Sequence, residues 1–364
     1  MKRTSTTTYS PFRKGGRGDF SCEKRLLRQK SPPFYERGEE FTSCCTNRRD
    51  FLKSSVRAAA IMAAQAIGIK KVFAGKSKKF QLNVGYLPIT DHLILPVSHA
   101  LDNSKYSHVN VKMVLCKSWD EILGKVEMGM LHAAFMLTPL AMYKVMTGSP
   151  MKCLLLGHTN GSVIAVKKSI TDSEGLVEKT IGIPHSKSTH RVLLYKYLKS
   201  KGMENRVNLR LVKIPPPLTV KSLKAGRIDA YTVAEPWGIR GITEGVANIL
   251  EFSKNIIPNH VCCIVMVKNR VIEKQPDAIS EWVRSLRNAG SIIHSDPDRA
   301  GLLQEPYMKH RPDEIVQVIK DDLISYVNLE PDRKKLCTIS DLALECGILP
   351  AKCDFDQFID NRFA

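Results

Sequence analysis

The chain has 364 residues, more than one compact core usually holds, so two lobes are expected. Hydrophobic residues make up 43% and charged residues 25%, which indicates an ordinary globular protein. The formal charge is +19, but no zinc-finger, basic-zipper or aromatic RNA-binding motif accompanies it, so no nucleic-acid partner is expected.

The first fifth of the chain is unlike the rest. Residues 1–74 hold 16 Lys or Arg and only 6 Asp or Glu. Within them a paired Arg48-Arg49 precedes the apolar stretch Ala58–Ile69, which is too short to span a bilayer. This resembles a twin-arginine export signal that is cleaved after Ala74 or kept as an anchor. The alternative is a surface helix that follows a basic tail.

Seven cysteines follow residue 74, and no two of them form a C-x-x-C pair. A zinc ribbon or a thioredoxin-type site is therefore unsupported, and most of the seven are expected to be small buried side chains. Cys337, Cys346 and Cys353 lie close enough in sequence to permit one disulfide.

Strand-length apolar runs alternate with helical patterns along the rest of the chain. The first half predicts strands at 80–87, 109–116, 131–137, 152–158 and 161–168, and helices at 91–102, 118–129 and 139–148. The second half predicts strands at 180–185, 207–214, 228–235, 247–253 and 260–268, and helices at 189–202, 215–226, 236–245 and, with an interruption, roughly 275–328. This alternation predicts α/β lobes, each with a mostly parallel sheet covered by helices.

The two halves also repeat one pattern. KVEMGMLHAAFMLTPLAM (125–142) parallels SLKAGRIDAYTVAEPWGI (222–239): a helix, a glycine turn, a buried strand, and a helix begun by proline. Ligands of such sheets bind beyond the carboxyl ends of the strands, so two lobes that face each other there form a cleft.

Several polar and aromatic residues fall at the predicted strand ends. In IGIPHSKSTHRVLL, Ser188, Thr189 and His190 open a helix, where unpaired N–H groups and the helix dipole favour an anion. The alternative is that these residues only cap the helix. The other candidates are the strand-end residues Thr138, Glu235, Trp237 and Trp119 and the predicted crossover residues Asn160, Ser162 and His260. Packing and turn formation are the competing explanations for these.

No catalytic or metal motif competes with this interpretation. The sequence contains no G-x-S-x-G, P-loop, H-E-x-x-H or G-x-G-x-x-G, and no histidine pair has convincing metal-ligand spacing. We expect no enzyme activity, cofactor or metal.

The segments KSWDEIL, AAFMLTPLAM, HTNGSVIAV, STHRVLL, IPPP, LKAGRIDAY and VAEPWG, spread over most of 80–268, resemble solute-binding proteins of the nitrate/sulfonate/bicarbonate class of ABC transporters. The resemblance implies a type II periplasmic-binding-protein fold: two α/β lobes joined by two crossover strands, with the ligand cleft between them. Lobe 1 is then expected at 75–162 and 268–364, and lobe 2 at 163–267.

The resemblance also implies an anion pocket. Trp119 and His190 match the pattern of nitrate- and bicarbonate-binding members, whereas Ser162 stands where Gln is usual and His260 where Lys is expected. The calcium of some bicarbonate members is not expected, because residues 256–261 contain no carboxylate.

The resemblance thus implies a periplasmic or other extracytoplasmic protein that captures a small anion and delivers it to an ABC permease and its ATPase, after export by the twin-arginine translocase. Two alternatives stay open. One is a thiamine-pathway protein that binds or makes a pyrimidine precursor on the same fold. The pair Cys262-Cys263 faintly resembles the cysteine-rich segment of such proteins. The other is a ligand-sensing module for a membrane partner.

Overall fold

The computed structural model describes residues 78–203 and 208–363, and residues Ala74–Ala364 form one compact unit. The strands are β1 (Phe80–Tyr86), β2 (Val109–Leu115), β3 (Ala133–Leu137), β4 (Met151–Leu156), β5 (Thr159–Asn160), β6 (Ser162–Lys167), β7 (Thr180–Ile183), β8 (Arg210–Lys213), β9 (Ala230–Ala234), β10 (Ala247–Phe252), β11 (Cys263–Lys268) and β12 (Ile324–Ser325). The helices are α1 (Ile94–Asp102), α2 (Trp119–Glu127), α3 (Thr138–Met146), α4 (Thr189–Ser200), α5 (Thr219–Lys224), α6 (Trp237–Thr243), α7 (Ser253–Ile256), α8 (Asn269–Lys274), α9 (Pro276–Ser295), α10 (Pro297–Met308), α11 (Pro312–Lys320), α12 (Arg333–Glu345) and α13 (Phe355–Phe358). The predicted leader and export signal, 1–74, lie outside the described residues.

The strands form two sheets of the same design, which confirms the prediction of two α/β lobes. The first sheet has the order β2-β1-β3-β11-β4, and the second has the order β8-β7-β9-β6-β10. In each sheet four strands run one way and one strand, β11 or β6, runs against its neighbours. The predicted repeat therefore corresponds to equivalent central strands, β3 and β9.

The reversed strands are those that follow a crossing between lobes. The first crossing, at 157–161, leads into β6, and the second, at 257–262, leads into β11. The crossings lie side by side: Asn160 N donates to His260 O at 3.0 Å, and Thr159 pairs with Val261. Strand β12 pairs with β5 and adds a third segment to this hinge.

One predicted lobe boundary is wrong. The expected second lobe, 163–267, includes almost all of β11, but β11 pairs with β3 and β4 of the first sheet. The chain returns to the first lobe before Cys263. The apolar run 260–268 looks like a single strand, although its first residues pair across the hinge and only the remainder enters the sheet.

The helical region predicted at 275–328 is three helices, α9 to α11, that end at Lys320, and α12 and α13 follow it. Helices α9 and α10 pack on α1, and α11 packs on α10, so all three belong to the first lobe. In the described part of the chain no helix is long and apolar enough to cross a bilayer. Cys337, Cys346 and Cys353 are free thiols, so the disulfide that their spacing permits is not formed.

Candidate functional site

Helices α3 and α4, one from each lobe, begin at the same backbone carbonyl group. Thr138 opens α3, and its N and Oγ1 donate to Cys262 O at 2.9 and 3.0 Å. Thr189 opens α4, and its Oγ1 donates to the same oxygen at 3.1 Å. Both hydroxyls are fully buried. The positive ends of two helices from opposite lobes therefore meet at the end of the second crossing.

His190 lies in the first turn of α4 and is 1% exposed. Its Nε2 is 3.2 Å from Ser162 Oγ, at the start of β6. Its Nδ1 is buried and has no hydrogen-bond partner among the described residues. A buried polar atom without a partner is costly, so Nδ1 is an available contact for a bound molecule. Ser188, by contrast, caps α4: its Oγ accepts from Arg191 N at 3.1 Å.

Four fully buried side chains form a compact group at the hinge, which we call the hinge cluster: Asp91, His158, Cys262 and Cys263. Asp91 Oδ2 lies 3.1 Å from His158 Nε2 and accepts from Cys263 Sγ at 3.3 Å. The close approach depends on Gly157, because a Cβ there would lie 3.0 Å from Cys263 O and 3.1 Å from Asp91 O.

Two aromatic side chains connect the hinge cluster with β2. His92 accepts from Leu87 N at 2.8 Å and packs edge-on against Trp119, with ring centroids 5.5 Å apart. Within the described chain, His92 Nε2 and Trp119 Nε1 are buried without partners. Trp119 is thus a wall of the buried region.

Glu235 caps a helix rather than reaching across the cleft. Its Oε2 accepts from Gly238 N and Ile239 N, at 3.1 and 3.0 Å, in the first turn of α6. Its Oε1 has no partner among the described residues. Burial raises the pKa of Glu235 to about 7, against the lowering effect of the two N–H groups.

The remaining candidates have structural contacts. Asn160 Oδ1 accepts from Asn259 N at 2.9 Å, which joins the two crossings. His260 holds Ile257 O at 2.9 Å through Nδ1, and its Nε2 is unpartnered within the described residues. Trp237 packs edge-on against His310 and lies under the Arg240 guanidinium group, so it belongs to an interlobe contact and not to the hinge.

All ten predicted site residues are buried, which means that the lobes are closed over them. Two cavities, of about 520 and 400 Å³, share Lys268 and Arg270 in their linings. They lie where β11 ends and β1 begins, at the strand ends of the first sheet that point away from the hinge. They contain none of the predicted site residues.

The buried region holds little net positive charge. Burial lowers the pKa of His190 to about 4 and the pKa values of His92 and His260 to about 3, so these rings are neutral at pH 7. Burial also opposes protonation of His158, but the charge and hydrogen bond of Asp91 raise its pKa to about 10. Asp91 and His158 therefore form an ion pair, and the three neutral rings and the helix ends are the other polar groups beside it.

Five residues of this region were not among the predicted site residues: Asp91, His92, His158, Cys262 and Cys263. Trp119 and Thr138 were selected because ligands bind beyond the carboxyl ends of strands. The same rule applied to the end of β1 would have selected Asp91 and His92. The contribution of the cysteines has no such signal, because it depends on how the second crossing pairs with the first.

The geometry is that of two α/β lobes that meet at a hinge, and a family model described as the NMT1-like family matches residues 75–304. The chain belongs to the NMT1-like family. This family member has the fold of the nitrate-binding protein NrtA from Synechocystis, with a TM-score of 0.70 at 16% identity over 77% of this chain and 84% of that one. It is also similar to the alkanesulfonate-binding protein SsuA from Xanthomonas axonopodis, with a TM-score of 0.67 at 15% identity over 77% and 98% of the two chains.

A zinc-bound ligand-binding component of an ABC-type import system from Staphylococcus aureus is similar as well, with a TM-score of 0.73 at 24% identity over 78% and 98% of the two chains. The predicted type II periplasmic-binding-protein fold is therefore confirmed.

This NMT1-like protein matches only part of the length of its curated relatives. It is 26% identical over 232 residues to the nitrate import ATP-binding protein NrtC of Synechocystis, covering 58% of this chain and 35% of the relative. It is 22% identical over 250 residues to the nitrate/nitrite binding protein NrtA of Nostoc, covering 62% and 57%. The chain thus spans between about one third and three fifths of the length of these relatives.

Proposed function

We propose that this NMT1-like protein is the extracytoplasmic solute-binding component of an ABC importer and captures a small anion between its two lobes. Nitrate, bicarbonate and sulfonates are the candidate solutes. The observation that carries the proposal is the meeting of α3 and α4 at Cys262 O, next to His190, whose buried Nδ1 has no partner among the described residues. Two helix N-termini and a ring N–H can bind an anion without the positive charge of a lysine.

The mechanism is binding without chemistry. An anion that reaches helix α4 and the hinge with the lobes apart is enclosed when they close, and contacts made only in the closed form supply the binding selectivity. A permease then recognises the closed form, and its ATPase drives import. The names of the relatives support these ABC partners, and we propose no enzyme activity.

We further propose that residues 1–74 direct export through the twin-arginine translocase. The support is the Arg48-Arg49 pair and the short apolar stretch that follows it. Export places the binding unit where a permease in the membrane can receive its solute.

A thermal-shift panel tests the anion proposal. Residues 75–364, unfolded and refolded to remove carried ligand, are heated with nitrate, nitrite, bicarbonate, an alkylsulfonate or a pyrimidine. A solute at 100 times its Kd stabilises by about 2.7 kcal/mol, which raises the melting temperature by roughly 5–10 °C. A shift with one oxyanion supports the proposal. A shift with the pyrimidine alone favours the thiamine-pathway alternative, and no shift with any of them rejects the anion class.

A further inference from the structure

The hinge cluster brings together four side chains that can bind a metal ion. Asp91 follows β1, His158 lies in the first crossing, Cys262 ends the second crossing, and Cys263 begins β11. One donor atom from each of the four lies within 4.8 Å of those of the other three. The cluster thus joins three separate segments at the point where the lobes are connected.

The four side chains are fully buried yet incompletely satisfied. Asp91 Oδ1 and His158 Nδ1 have no hydrogen-bond partner in the described part of the chain. The Cys262 sulfur accepts from Ser162 Oγ at 3.9 Å and lies within hydrogen-bonding reach of His158 and Cys263. Buried carboxylates are normally fully hydrogen-bonded, paired or bound to a metal.

The donor set fits a particular kind of ion. Two sulfurs, one imidazole and one carboxylate are ligands that tetrahedral Zn²⁺ accepts, whereas Ca²⁺ and Mg²⁺ require mostly oxygen ligands. Zinc–ligand distances of about 2.0–2.3 Å imply donor separations of roughly 3.3–3.8 Å. The Asp91–His158 and Asp91–Cys263 separations, 3.1 and 3.3 Å, are already near that range, so small side-chain rotations are enough.

We propose that Asp91, His158, Cys262 and Cys263 bind one divalent transition-metal ion, for which Zn²⁺ and Co²⁺ are the probes. The two thiols bind as thiolates and His158 binds as a neutral imidazole, so two thiol protons and one ring proton pass to solvent. The ion is enclosed at the hinge, so it enters when the lobes separate or while the chain folds.

A purely structural explanation accounts for the cluster less well. An ion pair between Asp91 and His158 accounts for two of the four side chains. It does not account for the two adjacent cysteines beside that pair, although Val or Ala would fill the same space. A metal ion uses all four side chains at once.

Cobalt titration of the full chain tests the proposal. The protein is stripped with a chelator under a non-thiol reductant, and Co²⁺ is added while the absorption spectrum is recorded. One equivalent of Co²⁺ should produce a thiolate-to-cobalt charge-transfer band and the strong visible bands of tetrahedral cobalt. Zn²⁺ should then displace it, and the metal content should be one ion per chain.

Two variants and one control assign the ligands. Cys262→Ser combined with Cys263→Ser should abolish the charge-transfer band and weaken Co²⁺ binding by roughly a hundredfold or more, while leaving Cys262 O available to Thr138 and Thr189. Asp91→Asn keeps both thiols, so it should keep the band but bind Co²⁺ at least about tenfold more weakly. Cys153→Ser removes another fully buried thiol, in β4, and should change nothing.

The absence of a charge-transfer band in the stripped wild-type protein would overturn the proposal. So would a band that survives in the double cysteine variant, or one that disappears equally in Cys153→Ser. Unchanged affinity in Asp91→Asn would remove the carboxylate from the site and refute the four-ligand assignment. Because the cobalt spectrum is independent of the solute panel, either proposal can fail without affecting the other.

Discussion

Thr138 and Thr189 donate their hydroxyl groups to one acceptor, Cys262 O, from opposite lobes. Thr138 belongs to the same lobe as Cys262, because β3 and β11 pair through Leu137 and Cys263. Thr189 belongs to the other lobe. One bond is therefore kept when the lobes separate, whereas the other exists only in the closed form.

This difference predicts different effects for two similar substitutions. Thr189→Val should weaken solute binding about 2- to 10-fold, because one neutral hydrogen bond of the closed state, worth about 0.5–1.5 kcal/mol, is lost. Thr138→Val should lower the melting temperature and reduce affinity less than Thr189→Val, because its bond is kept when the lobes separate. Isothermal titration with the solute found in the thermal-shift panel measures both. Equal losses of affinity would contradict the assignment of the two bonds.

Arg240 in α6 forms a second contact between the lobes. It binds Glu314 of α11 through both carboxylate oxygens, with Nε at 3.0 Å from Oε1, and Glu314 is 5% exposed. Arg240→Met should weaken solute binding by roughly thirtyfold or more. In this variant, closure of the lobes buries the Glu314 carboxylate without its guanidinium partner, which destabilises the closed form. The change should appear as faster solute release in stopped-flow measurements.

Lys213 provides the matched control for Arg240. It pairs with Asp120 of α2 at 2.7 Å, again between lobes, but both side chains are about half exposed. Lys213→Met should change affinity by less than about fivefold, since exposed ion pairs contribute at most about 1 kcal/mol. A larger effect than that of Arg240→Met would show that burial does not determine the strength of these contacts.

His190→Ala should abolish solute binding while the melting temperature of the free protein changes by only a few degrees. The substitution removes a buried nitrogen that has no partner within the described chain, which offsets part of the packing that is lost. Exposed His108 offers a control, and His108→Ala should bind normally. Normal affinity in His190→Ala would exclude the start of α4 as the anion site.

Glu235 should make stability depend on pH. Its folded-state pKa, about 7, lies above the ordinary value of 4.5, so the neutral form is favoured in the folded protein. The folded state is therefore fully stabilised below about pH 4.5 and loses about 3 kcal/mol as the pH rises through 7. Glu235→Gln stays neutral, so its melting temperature relative to wild type should increase between about pH 5 and 8.

Glu281 supplies a control with the opposite sign. Burial opposes its ionisation, but the N–H groups of Ser107, His108 and Val109 lower its pKa below the ordinary value. The stability that it contributes is present above the unfolded pKa and is lost as pH falls through the folded pKa. Glu281→Gln should therefore destabilise at neutral pH and approach wild type in acid. A Glu235→Gln variant that also loses stability at neutral pH would contradict the raised pKa.

The export proposal predicts that Arg48→Lys combined with Arg49→Lys leaves the unprocessed protein inside the cell. Twin-arginine recognition requires the guanidinium pair, whereas the two lysines keep the charge. Fractionation and immunoblotting of the two forms measure the outcome, and Arg57→Lys serves as a control outside the pair. Unimpaired export of the double variant would exclude this pathway.

Local pattern was enough for the sequence to determine the elements and the repeat. Alternating apolar runs and the proline-initiated helices at 139 and 236 gave the two lobes, and polar residues at strand ends gave Trp119, Thr138 and His190. These signals can be recognised in the sequence because a strand end and the helix start that follows it are neighbours along the chain.

Only the tertiary structure decided what those residues touch. Glu235 looks like a ligand contact but caps its own helix, and Asn160 joins two crossings that are about 100 residues apart. The hinge cluster combines positions 91, 158, 262 and 263, which no spacing rule connects. Local hydrogen bonding can be read from neighbouring residues, but a buried site at a hinge depends on which distant strands pair, and that pairing is determined by the packing of the whole fold.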